Sequence, residues 1–189
     1  MNLFIDTHLN DVAIVLHKDD SIIKVRVLKG VTENSKVIMP TIKKILNRQT
    51  PESVIVVNGP GSFTGVRLGV TIGKTLANTL EIPIRVINTL ECMAISLNDD
   101  IKERVVSFSD NNGYYMGFFD SNNKKHGEYQ YVTKEEYNEF ANRYDVYEDV
   151  KIDYLKVINV VLQRKPVSAH DVKAEYIKKI DVEKNDKER

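Results

Sequence analysis

Gly73-Lys74-Thr75 is the first place to look for chemistry, because Gly-Lys-Ser/Thr ends the phosphate-binding P-loop. That loop needs a further glycine five residues before Gly73. Leu68 stands there, and Gly69 is too close. The spacing matters because successive backbone N–H groups must wrap a phosphate before a helix begins. The nearest strand pattern, "SVIVV" at 53–57, is separated from this site by "NGPGSFTG". The motif is therefore broken in pattern and in context. Other chemistry-bearing residues are scattered. The four histidines, His8, His17, His126 and His170, include no i, i+4 pair suited to a helical metal site. "GPGSFTG" is not a Gly-x-Ser-x-Gly elbow, since Pro60 stands two residues before Ser62. Cys92 lies in the apolar pattern "LECMAIS", which reads as core. Asp6 and Asp110 remain as isolated carboxylates. No catalytic, cofactor-binding or metal-binding residue is assigned.

The elements that must position these residues follow from periodicity. "LFIDT", "DVAIVLH" and "SIIKVRVL" are three β-like runs, expected as an antiparallel meander. "TENSKVIMPTIKKILNRQ" reads as an amphipathic helix bent near Pro40, with Ile38, Met39, Ile42, Ile45 and Leu46 on one face. "SVIVV" is a buried strand, "SFTGVRLGVTIGKTLANTLE" a helix, "IPIRVIN" a strand and "TLECMAISLN" a short helix. The second half is expected to hold a hairpin across "NNG", a strand "EYQYV", and a helix opened by a Thr133–Glu136 capping box. A last helix, "DYLKVINVVLQRK", and a closing strand, "AEYIKKI", complete it. This predicts two α/β lobes, 1–99 and a smaller one at 100–189.

The second helix carries the main functional signal. Gly65, Gly69, Gly73 and Ala77 form a narrow seam at helical spacing, where another backbone can approach. Glycine costs ~1 kcal/mol against alanine in a helix, so close packing must select it. Leu68, Ile72, Thr75, Leu76 and Thr79 extend the apolar-to-neutral surface, and Arg67, Thr71, Lys74 and Asn78 form a polar strip. The weakly polar arc spans roughly 220°, against the ~100° stripe of an ordinary surface helix. A neighbouring helix or another protein must cover the excess. Gly59, Pro60, Gly61 and Ser62 form a sharp turn, and Ser62 or Thr64 can cap the helix.

Composition bounds the function classes. In 189 residues, 27 basic side chains balance 27 acidic ones and 42% of residues are hydrophobic. The zero net charge lacks the basic footprint of a protein that grips nucleic acid by itself. One cysteine excludes an internal disulfide and fits a reducing, cytoplasmic home. "MNLFIDTHLND" does not read as a signal peptide, and no apolar run reaches the ~18 residues of a membrane span. The charged "EKNDKER" at 183–189 is expected to be solvated.

"NGPGSFTGVRLGVTIGKTLANTLEIPIRVINTLE", Asn58 to Glu91, resembles the signature of the bacterial TsaB family, also called YeaZ. "LFIDT", "ENSKVIMPTIKKIL", "SDNNGYYMGFF" and "AEYIKKID" are similar to further segments of that family. His8 stands where a serine is common, and Asn34 where many relatives have histidine. The resemblance implies the sugar-kinase, Hsp70 and actin-like (ASKHA) architecture of two ribonuclease-H-like lobes, here with a reduced second lobe. It implies a non-catalytic subunit in making N6-threonylcarbamoyladenosine (t6A) at tRNA position 37. It would pair through its first two helices with the transferase TsaD, placing Ile38, Met39, Ile42, Ile45, Leu46, Leu68, Ile72, Thr75, Leu76 and Thr79 outward at the partner interface; TsaD carries a metal-binding histidine pair that the first helix here lacks. A TsaE-like ATPase would join, ATP would be used by the complex, and tRNA would be met indirectly. Without its partner the chain would homodimerise. The alternative is an enzyme of the same fold, a nucleotide-dependent phosphotransferase or a peptidase.

Overall fold

The computed structural model describes residues 1–9, 11–30, 34–97 and 103–178. The charged stretch 183–189 lies outside them. In chain order the strands are β1 (Asn2–Asp6), β2 (Val12–Lys18), β3 (Ser21–Leu28), β4 (Ser53–Val57), β5 (Ile84–Ile87), β6 (Glu103–Ser109), β7 (Tyr114–Asp120), β8 (Lys125–Val132) and β9 (Val146–Glu148). The helices are α1 (Asn34–Leu46), α2 (Phe63–Leu80), α3 (Thr89–Ser96), α4 (Lys134–Ala141) and α5 (Tyr154–Leu162).

The first sheet has the order β3-β2-β1-β4-β5. β1, β4 and β5 run parallel, while β2 and β3 complete an antiparallel meander. β1, β2 and β4 are almost wholly buried because helices cover both faces of this sheet. On one face Leu3, Ile5, Ile14, Val54 and Val56 pack with Ile38 and Ile42 of α1 and Val66 and Val70 of α2. On the other, Phe4, Val15, Ile55 and Val57 meet Cys92 and Ile95 of α3 and Val157, Ile158 and Val161 of α5.

The second sheet has the order β8-β7-β6-β9. α3 also closes one of its faces, with Leu90, Met93 and Ala94 against Val106, Phe108 and Phe119. α3 is apolar nearly all round, as a helix wedged between two layers must be. α4 covers the opposite face through Tyr137, whose ring stacks on Tyr114 at 3.7 Å between centroids.

Local signals fix the helix ends. The Ser62 hydroxyl accepts from the Gly65 N–H, and Glu81 ends α2 in the left-handed region with φ 53°. Asn88 caps α3, Thr133 and Glu136 form the expected capping box on α4, and Asp153 caps α5.

Two expectations from sequence need correction. "AEYIKKI" is not a closing strand: residues 172–178 form no strand, and 179–180 lie outside the described residues. Among the described residues the free edge of β5 takes only a single antiparallel bridge, Ile84 to Val167, and the chain beyond it bonds to loops and side chains instead. Nor does the chain after residue 100 stay with the second sheet. α5 returns to the first, where Arg164 at its end forms a two-pronged ion pair with Glu91 of α3, at 2.7 and 3.1 Å.

The glycine seam of α2 faces inward. A Cβ on Gly65 would lie 2.2 Å from the Thr7 carbonyl oxygen, and one on Gly69 2.2 Å from the Thr7 hydroxyl. Gly73 would meet Val56 at the same distance. The Thr7 hydroxyl donates to the Gly65 carbonyl at 2.7 Å, which pins α2 to the end of β1. Gly65→Ala should therefore destabilise the fold by about 1–3 kcal/mol, since a backbone oxygen cannot yield as a side chain can. Urea unfolding measures this; a midpoint equal to that of the unaltered chain would contradict the close-approach account.

Candidate functional site

Two features of the first lobe bear on function: the corner between β1 and α2, and the outer face of α1 and α2. The corner is built by Asp6, Thr7 and His8 at the end of β1 and by the turn Gly59–Ser62. Asp6 and His8 are buried. His8 Nδ1 lies 2.5 Å from Asp6 Oδ1, and the His8 backbone N–H donates to the same oxygen at 3.1 Å. The ring meets Phe108 of the second sheet edge-on at 5.9 Å. The Ser62 N–H donates to the His8 carbonyl at 2.6 Å, and a Cβ on Gly61 would lie 2.2 Å from that oxygen. The turn is thus pressed against His8 with the Ser62 N–H engaged, while His8 Nε2 is buried without a hydrogen-bond partner among the described residues. Gly73-Lys74-Thr75 is far from any helix start: Gly73 is buried in mid-helix and Thr75 is exposed.

Lys74 has a different task from the solvated one its polar strip suggests. Its Nζ donates to the carbonyls of Val172 and His170 at 2.9 and 3.3 Å. Arg67 is engaged likewise. Its Nε donates to the Tyr176 hydroxyl at 2.7 Å, and its guanidinium lies 3.9 Å over the Phe63 ring. Neither pairing has a local sequence signal, because about a hundred residues separate the partners.

Cys92 is buried in α3, and burial first, then the Asp6 charge, pushes its thiol well above the usual range. It is core, as its apolar pattern implies. Among the described residues no group of three or more His, Cys, Asp or Glu side chains could hold a metal ion. No described helix is long and apolar enough to cross a membrane. Asp110, at the end of β6, accepts from the Tyr131 hydroxyl at 2.6 Å, from the N–H groups of Asn112 and Gly113, and from Lys178 at 3.2 Å. A cleft of about 540 Å³ between the lobes is lined by Leu9, Asp11, Ser62, Ser109, Asp110 and Asn111.

The outer face is the second feature. The structure divides the residues that sequence periodicity places together. Ile38, Ile42, Ile45, Leu46 and Ile72 are turned into the core of their own lobe, with Ile42 1% and Ile72 8% exposed. The apolar stripe of α1 is only wide enough for the sheet, so most of it is spent there. Met39, Leu68 and Leu76 are half-buried along the outer margin, and Thr75 and Thr79 are exposed. What remains outward on α2 is Thr64, Leu68, Thr71, Thr75, Asn78 and Thr79. The charges of this 18-residue helix, Arg67 and Lys74, are both held along one flank, by Tyr176 and by the carbonyls of His170 and Val172. The outer face of a long exposed helix is therefore uncharged. Beside it, α1 presents Lys43 and Lys44 to solvent.

Two helix-covered lobes joined through a shared helix, with a five-stranded mixed sheet in the first, define the actin-like class to which sugar kinases and Hsp70 belong. The structure is similar to that of YeaZ from Pseudomonas aeruginosa, with a TM-score of 0.76, 14% identity, and 93% of this chain and 98% of that one covered. A second Pseudomonas aeruginosa structure, described as similar to peptidase YeaZ, gives a TM-score of 0.76 at 13% identity over 94% of this chain and 99% of its own. At such identity the likeness speaks for the fold. A family model described as TsaD, tRNA N6-adenosine threonylcarbamoyltransferase, matches residues 31–178. The chain belongs to this family, on its TsaB (YeaZ) side. The tRNA threonylcarbamoyladenosine biosynthesis protein TsaB of Bacillus subtilis (strain 168) is 38% identical over 97 residues, covering 49% of this chain and 42% of that protein. TsaB of Buchnera aphidicola (subsp. Schizaphis graminum) is 32% identical over 102 residues, covering 49% of this chain and 46% of its own. The chain thus spans less than half the length of these curated relatives.

Asp110 yields a pH prediction. Burial alone would raise its carboxyl, but the hydrogen bonds from Tyr131, Asn112 and Lys178 outweigh that and hold it below the usual carboxylate range. A depressed folded-state value stabilises the fold fully above the unfolded value and loses that stability as pH falls through the folded one. The difference in unfolding free energy between the unaltered chain and Asp110→Asn should be flat above about pH 5 and shrink below about pH 4. A difference that grows on acidification would contradict this assignment.

Proposed function

We propose that the chain is a non-catalytic subunit in t6A formation on tRNA, and that it pairs with a TsaD-like transferase through the outer face of α1 and α2. The observation that carries this is the uncharged strip Thr64–Leu68–Thr71–Thr75–Thr79, flanked by half-buried Met39 and Leu76. Interface cores are depleted in charge, whereas solvated helix faces are rich in it. Small threonines let a facing helix approach closely, as glycine does within the chain. Lys43 and Lys44 on the rim suit an acidic flank on the partner. The names of the relatives supply the pathway. Lack of catalysis is supported by the packed corner, where Asp6 engages His8 Nδ1 and the His8 carbonyl takes the Ser62 N–H. On this reading ATP is used by the complex, a TsaE-like ATPase joins the pair, and tRNA is met through the partner. Without that partner the same strip would join two copies of this chain. The setting is the cytoplasm. A phosphotransferase or peptidase would need a donor set or activated nucleophile at the corner, and none is assembled there among the described residues.

The test separates the core from the face. Ile42→Glu should unfold the chain, since it puts a charge at a 1%-exposed position. Leu68→Glu, at the half-buried margin, should keep the circular dichroism spectrum. It should weaken binding to a TsaD-like partner by roughly tenfold or more, the value of one large aliphatic contact. t6A formation in a reconstituted reaction should fall in step. Unchanged affinity for Leu68→Glu would remove the proposed face. Steady-state ATP or peptide hydrolysis by the isolated chain, abolished by Asp6→Asn, would support the enzyme alternative instead.

A further inference from the structure

After α5 the chain crosses the first lobe as an extended strap, residues 165–178. Its contacts form a series. The Val167 N–H donates to the Ile84 carbonyl at 2.9 Å on the edge of β5. Lys74 holds the carbonyls of His170 and Val172, and the buried Val172 side chain joins the core under α2. At the glycine turn, Asn58 Nδ2 donates to the Lys173 carbonyl at 3.2 Å and the Glu175 N–H donates to the Asn58 carbonyl at 2.7 Å. The strap lies so close there that a Cβ on Gly59 would come within 2.7 Å of the Glu175 carbonyl oxygen. Asn88 at the start of α3 donates to the Glu175 carboxylate at 2.7 Å. Tyr176 then packs on Phe63 with its ring tilted by 38° and centroids 5.1 Å apart.

Every one of these partners belongs to the first lobe. The next two residues cross to the second. Ile177 packs with the cluster around Phe108 and Tyr115. Lys178 Nζ donates to Asp110 Oδ2 at 3.2 Å and to the Tyr131 hydroxyl at 3.1 Å. Asp110 also lines the cleft between the lobes.

We infer that the strap is a latch: anchored on the first lobe through Glu175, and fastened across the cleft by the clip Lys178–Asp110–Tyr131. The two ends differ in kind. The anchor is a run of backbone and amide hydrogen bonds around a buried valine. The clip is an ion pair whose side chains are 32% and 29% exposed, and such pairs hold weakly and reversibly. Opening of the lobes would therefore begin at the clip, while the strap stays seated against α2. This inference rests on the contacts of the strap and does not depend on the proposed function.

The test uses Lys178→Ala, Asp110→Asn and, as a milder third, Tyr131→Phe. Hydrogen exchange read by mass spectrometry should show the β8 segment around Tyr131, which the clip ties to Lys178, exchanging about threefold to tenfold faster in the first two variants. Segments covering 167–175 should stay as protected as in the unaltered chain. Spin labels at exposed Thr79 and Glu128 should report a longer, broader interlobe distance in Lys178→Ala. Lys178→Arg should restore the original distance, and Tyr131→Phe should give a smaller change in the same direction. Superimposable distance distributions in Lys178→Ala and Asp110→Asn would overturn the latch. So would loss of protection along the whole strap, or global unfolding of Lys178→Ala, because a reversible clip cannot carry the fold.

Discussion

The close approach of α2 to the end of β1 is the constraint from which the rest of the first lobe follows. Three glycines leave no room for even one methyl group against Thr7 and Val56. The helix axis can therefore sit closer to the sheet than side chains would allow. That fixes its rotation: the seam must face inward, and every other face is assigned by the helical repeat. Val66 and Val70 fall on the core side, Arg67 and Lys74 on one flank, and the threonines outward. The apparent P-loop ending is a by-product of this arrangement. Gly73 serves packing, and Lys74 serves the strap.

The charge arrangement follows from the same rotation. An arginine and a lysine on an otherwise uncharged helix would normally spread into solvent. Here each is fixed by a chain segment about a hundred residues away, Arg67 by Tyr176 and Lys74 by the carbonyls of the strap. Fixing them on one flank leaves the other free of long, strongly hydrated side chains. A surface of threonine and half-buried leucine costs little to desolvate when a partner arrives. The strap and the outward face are thus two consequences of one helix orientation.

Much of this was legible in the sequence because it is local. The meander, the continuous apolar run of β4, the Ser62 cap, the Thr133–Glu136 capping box and the core position of Cys92 each rest on neighbouring residues. The glycine spacing correctly announced a close backbone approach, though not that the approaching group would be Thr7. Three features were not legible. The apolar face of α1 looks the same whether it meets a sheet or a partner, so Ile38, Ile42 and Ile45 were placed outward when they lie inward. α5 is amphipathic enough to pack anywhere, and only the exposed far side of the first sheet explains its return. "AEYIKKI" has strand composition, but its start is tied instead to Asn58 at the glycine turn and to Asn88, partners far away in sequence.

The corner between β1 and α2 shows how a fold suited to anions can be closed. The N-terminus of an 18-residue helix offers free N–H groups and a favourable dipole to any anion that can reach it. Reach requires open backbone and an unoccupied first turn. Here the Gly65 N–H is taken by the Ser62 hydroxyl, and the Ser62 N–H by the His8 carbonyl. Gly61 has no space beside His8, and the His8 ring is held by Asp6 and covered by Phe108. Of the groups that would frame a phosphate site, the Ser62 N–H and the His8 carbonyl take each other and His8 Nδ1 is held by Asp6, while His8 Nε2 is buried without a hydrogen-bond partner among the described residues. The corner is packed where the lobes meet, and the uncharged face of α2 lies outside it.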